Sequence, residues 1–292
     1  MERKLYPMKF EPIFKEKIWG GNKIYKTLGY QDAPQEKCGE VWVLSGVEGN
    51  NSIVSNGWLA GNELNEVVEI FMSDILGDAM FTKYGESFPV LIKFIDANDY
   101  LSIQVHPDDE LAKKRNLGGG KTEMWYIVEA ENDAKLISGF SKELDKETYL
   151  EHFEKGEILS ILNFEKVKKG EVFYIPSGRV HALGPGIMLA EIQQTSDTTY
   201  RIYDWDRVDK EGKSRELHTD LALDALDFRM PDNYKTAYKK TKNKTSPIIS
   251  TPYFTTSLLD LDKAIAKDYT ELDSFVIYLC VEGKLEIRYE QG

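Results

Sequence analysis

The 292-residue chain is poor in cysteine: Cys38 and Cys280 stand far apart and unaccompanied, which argues against a disulfide framework and a thiolate metal site. A reducing compartment fits that usage. No run of about 18 apolar residues occurs, and no signal-peptide-like stretch follows Met1-Glu2-Arg3-Lys4, so no membrane association and a cytoplasmic location are expected. Blocks of five like charges are missing too, and 37 Lys+Arg against 49 Asp+Glu leave a net charge of −12. A phosphate backbone needs a positive field, so nucleic acid is not the expected partner. Repeats at solenoid spacing and low-complexity tracts are also lacking. What remains is 41% hydrophobic and 29% charged residues, enough apolar surface for a sizeable core in one large domain or two ordinary ones. Composition leaves the oligomeric state undetermined.

Short β-prone runs dominate, bounded by Gly, Pro, Asn or Asp. They lie at Val41 to Leu44, Pro89 to Ile95, Tyr100 to Val105, Met124 to Val128, Leu136-Ile137, Val172 to Ile175 and Met188 to Ile192. Many short strands joined by turns indicate a mainly β fold of sandwich or jelly-roll type. Helical patterning comes in islands: Glu63 to Leu76, Asp108 to Arg115, Asp145 to Leu162 interrupted by Gly156, and Glu216 to Leu226. From Pro231 to Pro252 the composition turns to Lys, Thr, Asn and Pro, which reads as a connection. The expected division is therefore a first unit over residues 1–230 and the start of a second β unit over 231–292. Strands are expected in the second at Phe254 to Leu259, Ser274 to Val281 and Lys284 to Tyr289, with Glu282-Gly283 as a turn. Three or four strands leave an unpaired edge, so the sequence, ending at Glu290-Gln291-Gly292, is expected to be truncated within this unit.

Chemistry concentrates in Leu101 to His106, where period-two alternation puts Ser102, Gln104 and His106 on one face and Leu101, Ile103 and Val105 on the other. An amphipathic edge strand in water is the ordinary alternative. A second stretch shifts the balance. Gly170, Pro176, Gly178 and His181 have the spacing Gly, five residues, Pro, one residue, Gly, two residues, His, which resembles the second half-motif of cupin barrels. A strand enters, Pro176 and Gly178 make a tight turn, and His181 emerges pointing inward. Gln104-x-His106 stands where cupins carry His-x-His, and Glu123 follows 17 positions after His106. The segment Pro107 to Thr122, with Gly118-Gly119-Gly120, can bulge outward and return Glu123 to the wall. Two nitrogens and two oxygens suit Zn²⁺ or a similar divalent ion.

Several separated motifs in order then resemble a class I mannose-6-phosphate isomerase of the short bacterial type, within the cupin superfamily. They are Phe14 to Gly21, Gly39 to Trp42, Pro89 to Lys93, Ser102 to Asp108, Lys121 to Trp125 and Glu191 to Arg201. The resemblance implies a cupin jelly roll with helical decorations and a second, smaller β unit. It also implies one divalent metal, most simply Zn²⁺, on Gln104, His106, Glu123 and His181. The reaction implied is reversible conversion of D-mannose 6-phosphate to D-fructose 6-phosphate, moving a proton between C2 and C1 through an enediol. By the same resemblance Lys121, Glu191 and Arg201 surround the reacting carbons, and Lys93, Ser102 and Arg201 serve the substrate anion. Lys93 interrupts the apolar run Val90 to Ile95, where a buried cation needs a partner. Trp19 can line the sugar site with its ring face or seal the barrel. Arg201 has Asp197, Asp204 and Asp206 as competing ion-pair partners. His152, His218, Trp42, Trp125, Phe173 and Tyr174 read as local or core residues. Two alternatives stay open: a non-catalytic sugar-phosphate-binding cupin, and another metal cupin, which would be expected to show a compact His-x-His-to-Glu spacing.

Overall fold

The computed structural model of the chain describes residues 4–208 and 211–289. Met1-Glu2-Arg3 and Glu290-Gln291-Gly292, on which two of the expectations above bear, lie outside the described residues. Strand β1 (Ile13–Gly21) leads through helix α1 (Lys23–Lys26) to β2 (Cys38–Leu44) and a small hairpin of β3 (Gly46–Val47) and β4 (Asn50–Asn51). Helices α2 (Leu64–Phe71), α3 (Ser73–Leu76) and α4 (Asp78–Tyr84) precede β5 (Val90–Ala97) and β6 (Ile103–Val105). Then come α5 (Asp109–Lys114), β7 (Glu123–Ala130), β8 (Lys135–Phe140), α6 (Lys146–Glu154) and β9 (Leu162–Lys166). The strands β10 (Val172–Ile175), β11 (His181–Leu183), β12 (Ile187–Gln194) and β13 (Tyr200–Tyr203) follow, and after them α7 (Thr219–Ala225). Finally β14 (Thr245–Ser250) pairs with β15 (Thr255–Leu259).

Two antiparallel sheets carry the fold: a six-stranded one in the order β1-β2-β5-β12-β7-β10, and a five-stranded one in the order β13-β6-β11-β8-β9. Their inner faces share one core, in which Ile95, Trp125, Phe173 and Leu189 of the first meet Leu136 and Leu183 of the second. The fold is the mainly β, cupin-like jelly roll read from the sequence. Ile103, Val105 and Ala182 on the outer face of the five-stranded sheet pack with residues of α6 and α7, such as Tyr149 and Ala222. Every residue of β5 is buried. It lies in the middle of its sheet with an apolar layer on each side, which explains its nearly unbroken hydrophobic run.

Helix ends follow local chemistry. Asp108 and Asp145 cap α5 and α6 by accepting from the Leu111 and Thr148 amides. The helical island expected over Glu63 to Leu76 is split into α2 and α3, because Met72 takes a φ of 47°. Gly156, at φ 70°, ends the island that begins at Asp145, so Leu162 starts a strand instead.

The C-terminal region departs further from expectation. Strands do not form over 274–281 or 284–289, although β15 does form and Gly283 takes the turn conformation with φ 80°. A strand needs a ladder partner, and among the described residues none pairs with this stretch. Its apolar alternation is used otherwise, since Phe275, Leu279 and Val281 pack on clusters at the outer face of the six-stranded sheet. The connection Pro231 to Pro252 is also more ordered than its composition indicates. Thr236 N–H donates to Val172 O and Tyr234 Oη–H to Phe140 O, which lays this segment along β10 before β14 begins.

Candidate metal centre and active site

Two transverse rows, one in each sheet, form the centre of the site, with Glu123 two residues along β7 from the first and His106 two residues past Gln104. Across the six-stranded sheet Trp42, Lys93, Glu191 and Trp125 are successive direct partners. Across the five-stranded sheet the row runs Arg201, Gln104, His181. Direct cross-strand partners share a face, so each row projects as a block into the space between the sheets. A cavity of about 240 Å³ opens there, lined among others by Lys93, Glu123, Glu191, Gln104, His181 and Arg201.

The local sequence explains the placement. Gly178, at φ 86°, makes the turn that ends with His181 at the start of β11, and its amide donates to His106 O, joining the two half-motifs. The excursion between His106 and Glu123 is pinned at its base by Lys121 N–H to Pro107 O, and the Gly120 amide donates to Asp109 Oδ1. Glu123 then opens β7. Ser102, Gln104 and His106 face inward and Ile103 and Val105 outward, as their alternation indicates; Leu101, just before β6, instead joins the inner core.

His106, Glu123 and His181 are buried, and their ligand atoms lie within 4.8 Å of one another. His106 Nδ1 is 2.8 Å from Thr198 O, and His181 Nδ1 is 2.8 Å from Arg179 O. A carbonyl only accepts, so each Nδ1 carries hydrogen and each Nε2 keeps its lone pair. His106 Nε2 is buried without a hydrogen-bond partner and lies 3.2 Å from Glu123 Oε1; His181 Nε2 is 3.9 Å from Glu123 Oε2. Lone pairs converging in this way repel unless a cation stands between them. Gln104 Nε2 lies 3.3 Å from His181 Nε2, and a half-turn of its amide presents Oε1 on the same side. The donor set fits a divalent cation, with both imidazoles oriented from behind by backbone carbonyls.

Charge is arranged around this cluster. Burial, then the Lys121 ammonium, pushes His106 down to about 3, and burial likewise lowers His181. Burial favours a protonated Glu123, but Lys121, at 3.3 Å, outweighs it and holds the carboxyl well below its usual range. Glu191 behaves oppositely: burial and the Glu123 charge raise it to about 7 against the pull of Lys93. Burial alone would lower Lys93, yet Glu191 at 3.0 Å and Glu40 at 4.0 Å hold it above its usual value. The partner that a lysine in an apolar run requires is therefore a pair of carboxylates. Trp125 Nε1–H points at Glu191 Oε2, 2.7 Å away, and at Glu123 Oε2, 3.1 Å away.

At the mouth, Arg201 makes no ion pair among the described residues; its Nη1 donates to Glu216 O and its Nε is buried without a partner. Asp204, one of its expected competitors, is occupied by Arg207 and Arg215. His218 Nδ1 accepts from the Arg201 amide, so this histidine braces the strand, and His152 stays on the helix surface beside Lys142 and Ser160. Trp19 and Ser102 line the cavity wall. Sequence reasoning missed Lys17, Glu40 and Arg215, which also line it. Lys17 and Glu40 lie within the motifs Phe14 to Gly21 and Gly39 to Trp42, whereas Arg215 sits in an irregular segment without a periodic signal.

The profile of the family described as phosphomannose isomerase type I, catalytic domain, matches residues 8–169. A mannose-6-phosphate isomerase of Streptococcus mutans is 37% identical over 287 residues, covering 96% of this chain and 89% of that protein. The mannose-6-phosphate isomerase ManA of Bacillus subtilis is 37% identical over 281 residues, covering 95% of this chain and 86% of that one. The crystal structure of the mannose 6-phosphate isomerase from Bacillus subtilis superimposes with a TM-score of 0.76 at 36% identity, covering 85% of this chain and 78% of its own. A phosphomannose isomerase from Salmonella typhimurium, at 16% identity and a TM-score of 0.68, shares the fold. The chain belongs to the type I phosphomannose isomerase family.

Proposed function

We propose that the protein interconverts D-mannose 6-phosphate and D-fructose 6-phosphate in this cavity, with Gln104, His106, Glu123 and His181 holding one divalent cation, Zn²⁺ by its preference for mixed nitrogen and oxygen ligands. The single observation that carries the site is the convergence of two buried imidazole lone pairs on one buried carboxylate. Residues 1–230 carry all of these groups.

When bound, the cation supplies Lewis acidity to sugar oxygens. The chain supplies the rest. Glu191, raised to about 7, can both hold and release a proton near neutral pH, which suits transfer between C2 and C1. Lys93 holds Glu191 in place from across the sheet. Lys121, directed at Glu123 in the cavity wall, is set to donate to or accept from a sugar oxygen. Arg201, with its open Nε, serves both the reacting end and the anion, and Ser102 and Arg215 add donors for the phosphate. Trp19 offers an apolar wall to the sugar ring.

The test is a coupled isomerase assay on purified protein before and after chelation, with Zn²⁺ restored afterwards. Loss and recovery of turnover are expected. Activity indifferent to a chelator that demonstrably strips the ion would overturn the reading.

A further inference from the structure

Trp125 reads from its sequence as a core aromatic, and its surroundings support that much: it is 2% exposed and packs among Ile95, Phe173 and Leu189. Its indole nitrogen does something a core side chain need not do. Indole has one N–H and no acceptor, and here that hydrogen faces two buried carboxylates, Glu191 Oε2 at 2.7 Å and Glu123 Oε2 at 3.1 Å. The ring itself has little freedom. Its backbone pairs with Glu191 on β12 and Phe173 on β10, and its edge meets the His181 ring at 5.3 Å and 80°.

We propose that Trp125 is a positioning residue whose single N–H, shared by Glu123 and Glu191, fixes the cation-binding carboxylate relative to the carboxylate that moves the proton. The inference rests on the reading of those two glutamates given above. Lys93 approaches Glu191 on Oε1 and Lys121 approaches Glu123 on Oε1, so each carboxylate has a lysine on one oxygen and the indole on the other. The lysines fix each glutamate separately. Among the described residues the indole is the one donor that hydrogen-bonds both, and without it the two buried carboxyl groups on neighbouring strands share no donor.

The experiment compares the parent with Trp125→Phe and with a Trp125→benzothienylalanine variant, in which sulfur replaces the N–H and the ring shape is kept. Zn²⁺ affinity is measured by competition with a chromophoric chelator, and kcat and KM at saturating Zn²⁺ across pH. Groups that orient ligands and acid-base residues typically carry about 10–100-fold in affinity or activity. Both variants are expected to bind Zn²⁺ about tenfold more weakly and to lose about 10–100-fold in kcat with KM within about threefold. The acidic limb of the kcat profile should move to higher pH, because a carboxylate that loses a donor ionises less readily. If the sulfur isostere keeps parental Zn²⁺ affinity, or parental kcat and pH profile, the shared placement is overturned. Glu191→Gln serves as the reference: full turnover in that variant would instead overturn the assignment of Glu191 itself.

Discussion

Lys93 and Glu191 are direct partners across β5 and β12, and their side chains meet with 3.0 Å between Nζ and Oε1 in a buried setting. Glu40 stands on the far side of the same ammonium. Removing the lysine leaves Glu191 without its ion-pair partner. Lys93→Met is expected to destabilise the fold by about 3–5 kcal/mol at pH 7, as for other broken buried pairs. Glu191 would then lose its cation while Glu40 keeps Lys17 at 3.2 Å, so the loss should shrink as pH falls and Glu191 becomes protonated. Urea unfolding at pH 7 and pH 5.5 checks both the size and the trend; a variant as stable as the parent at pH 7 would contradict it.

His181→Ala should abolish stoichiometric Zn²⁺ loading, because it removes a lone pair on which the cluster converges. Lys121→Ala should leave loading intact and lower kcat by about 10²–10⁴-fold, the usual range for acid-base groups. Metal analysis beside steady-state kinetics separates the two. A lysine variant with full turnover would remove Lys121 from proton transfer.

The depressed histidines give the chelated protein a defined acid response. His106 at about 3 lies below its unfolded value of about 6.5, so between those limits the unfolded chain binds a proton that the folded one refuses. Stability is therefore present above pH 6.5 and lost as pH falls, with His181 acting in the same direction. Glu191, raised to about 7, works the other way: the folded protein takes up its proton first, and that contribution fades as pH rises to 7. Glu191→Gln should therefore steepen the acid loss between pH 6.5 and 4.5 by up to about 1.4 kcal/mol per pH unit. Thermal unfolding of chelated parent and variant across this range reads the difference.

Arg215 lines the cavity mouth and is held by Asp204, which Arg207 also binds. If it meets the substrate phosphate in ground and transition states alike, Arg215→Gln raises KM by about 10–100-fold with kcat nearly unchanged, the range for one hydrogen bond to a charged group. A fall in kcat at constant KM would place Arg215 at the reacting end instead.

Legibility in the sequence tracked how local each cause is. The turn that delivers His181 is written in Pro176 and Gly178, and the inward face of Ser102, Gln104 and His106 in simple alternation. Glu123 could be found because the excursion before it carries its own helix and glycines. Other features depend on partners distant in the chain. Trp125 reads as core because its packing is core-like, while the two carboxylates that meet its N–H come from β7 and β12. Arg215 and Lys17 gain meaning only once the barrel closes. β1 and β13 lie at sheet edges, where mixed composition hides a strand, and the apolar alternation at 274–289 promised strands that find no partner among the described residues.

Because strand register holds the central site residues in transverse rows, this enzyme tolerates change in length very unevenly. The stretch between His106 and Glu123 can grow or shrink, since its base is tied by Lys121 and Pro107. One residue inserted within β5 or β12 would send Lys93 or Glu191 outward and an aliphatic neighbour inward. Indels in this lineage should therefore be even-numbered or absent inside the strands and unrestricted in the excursions.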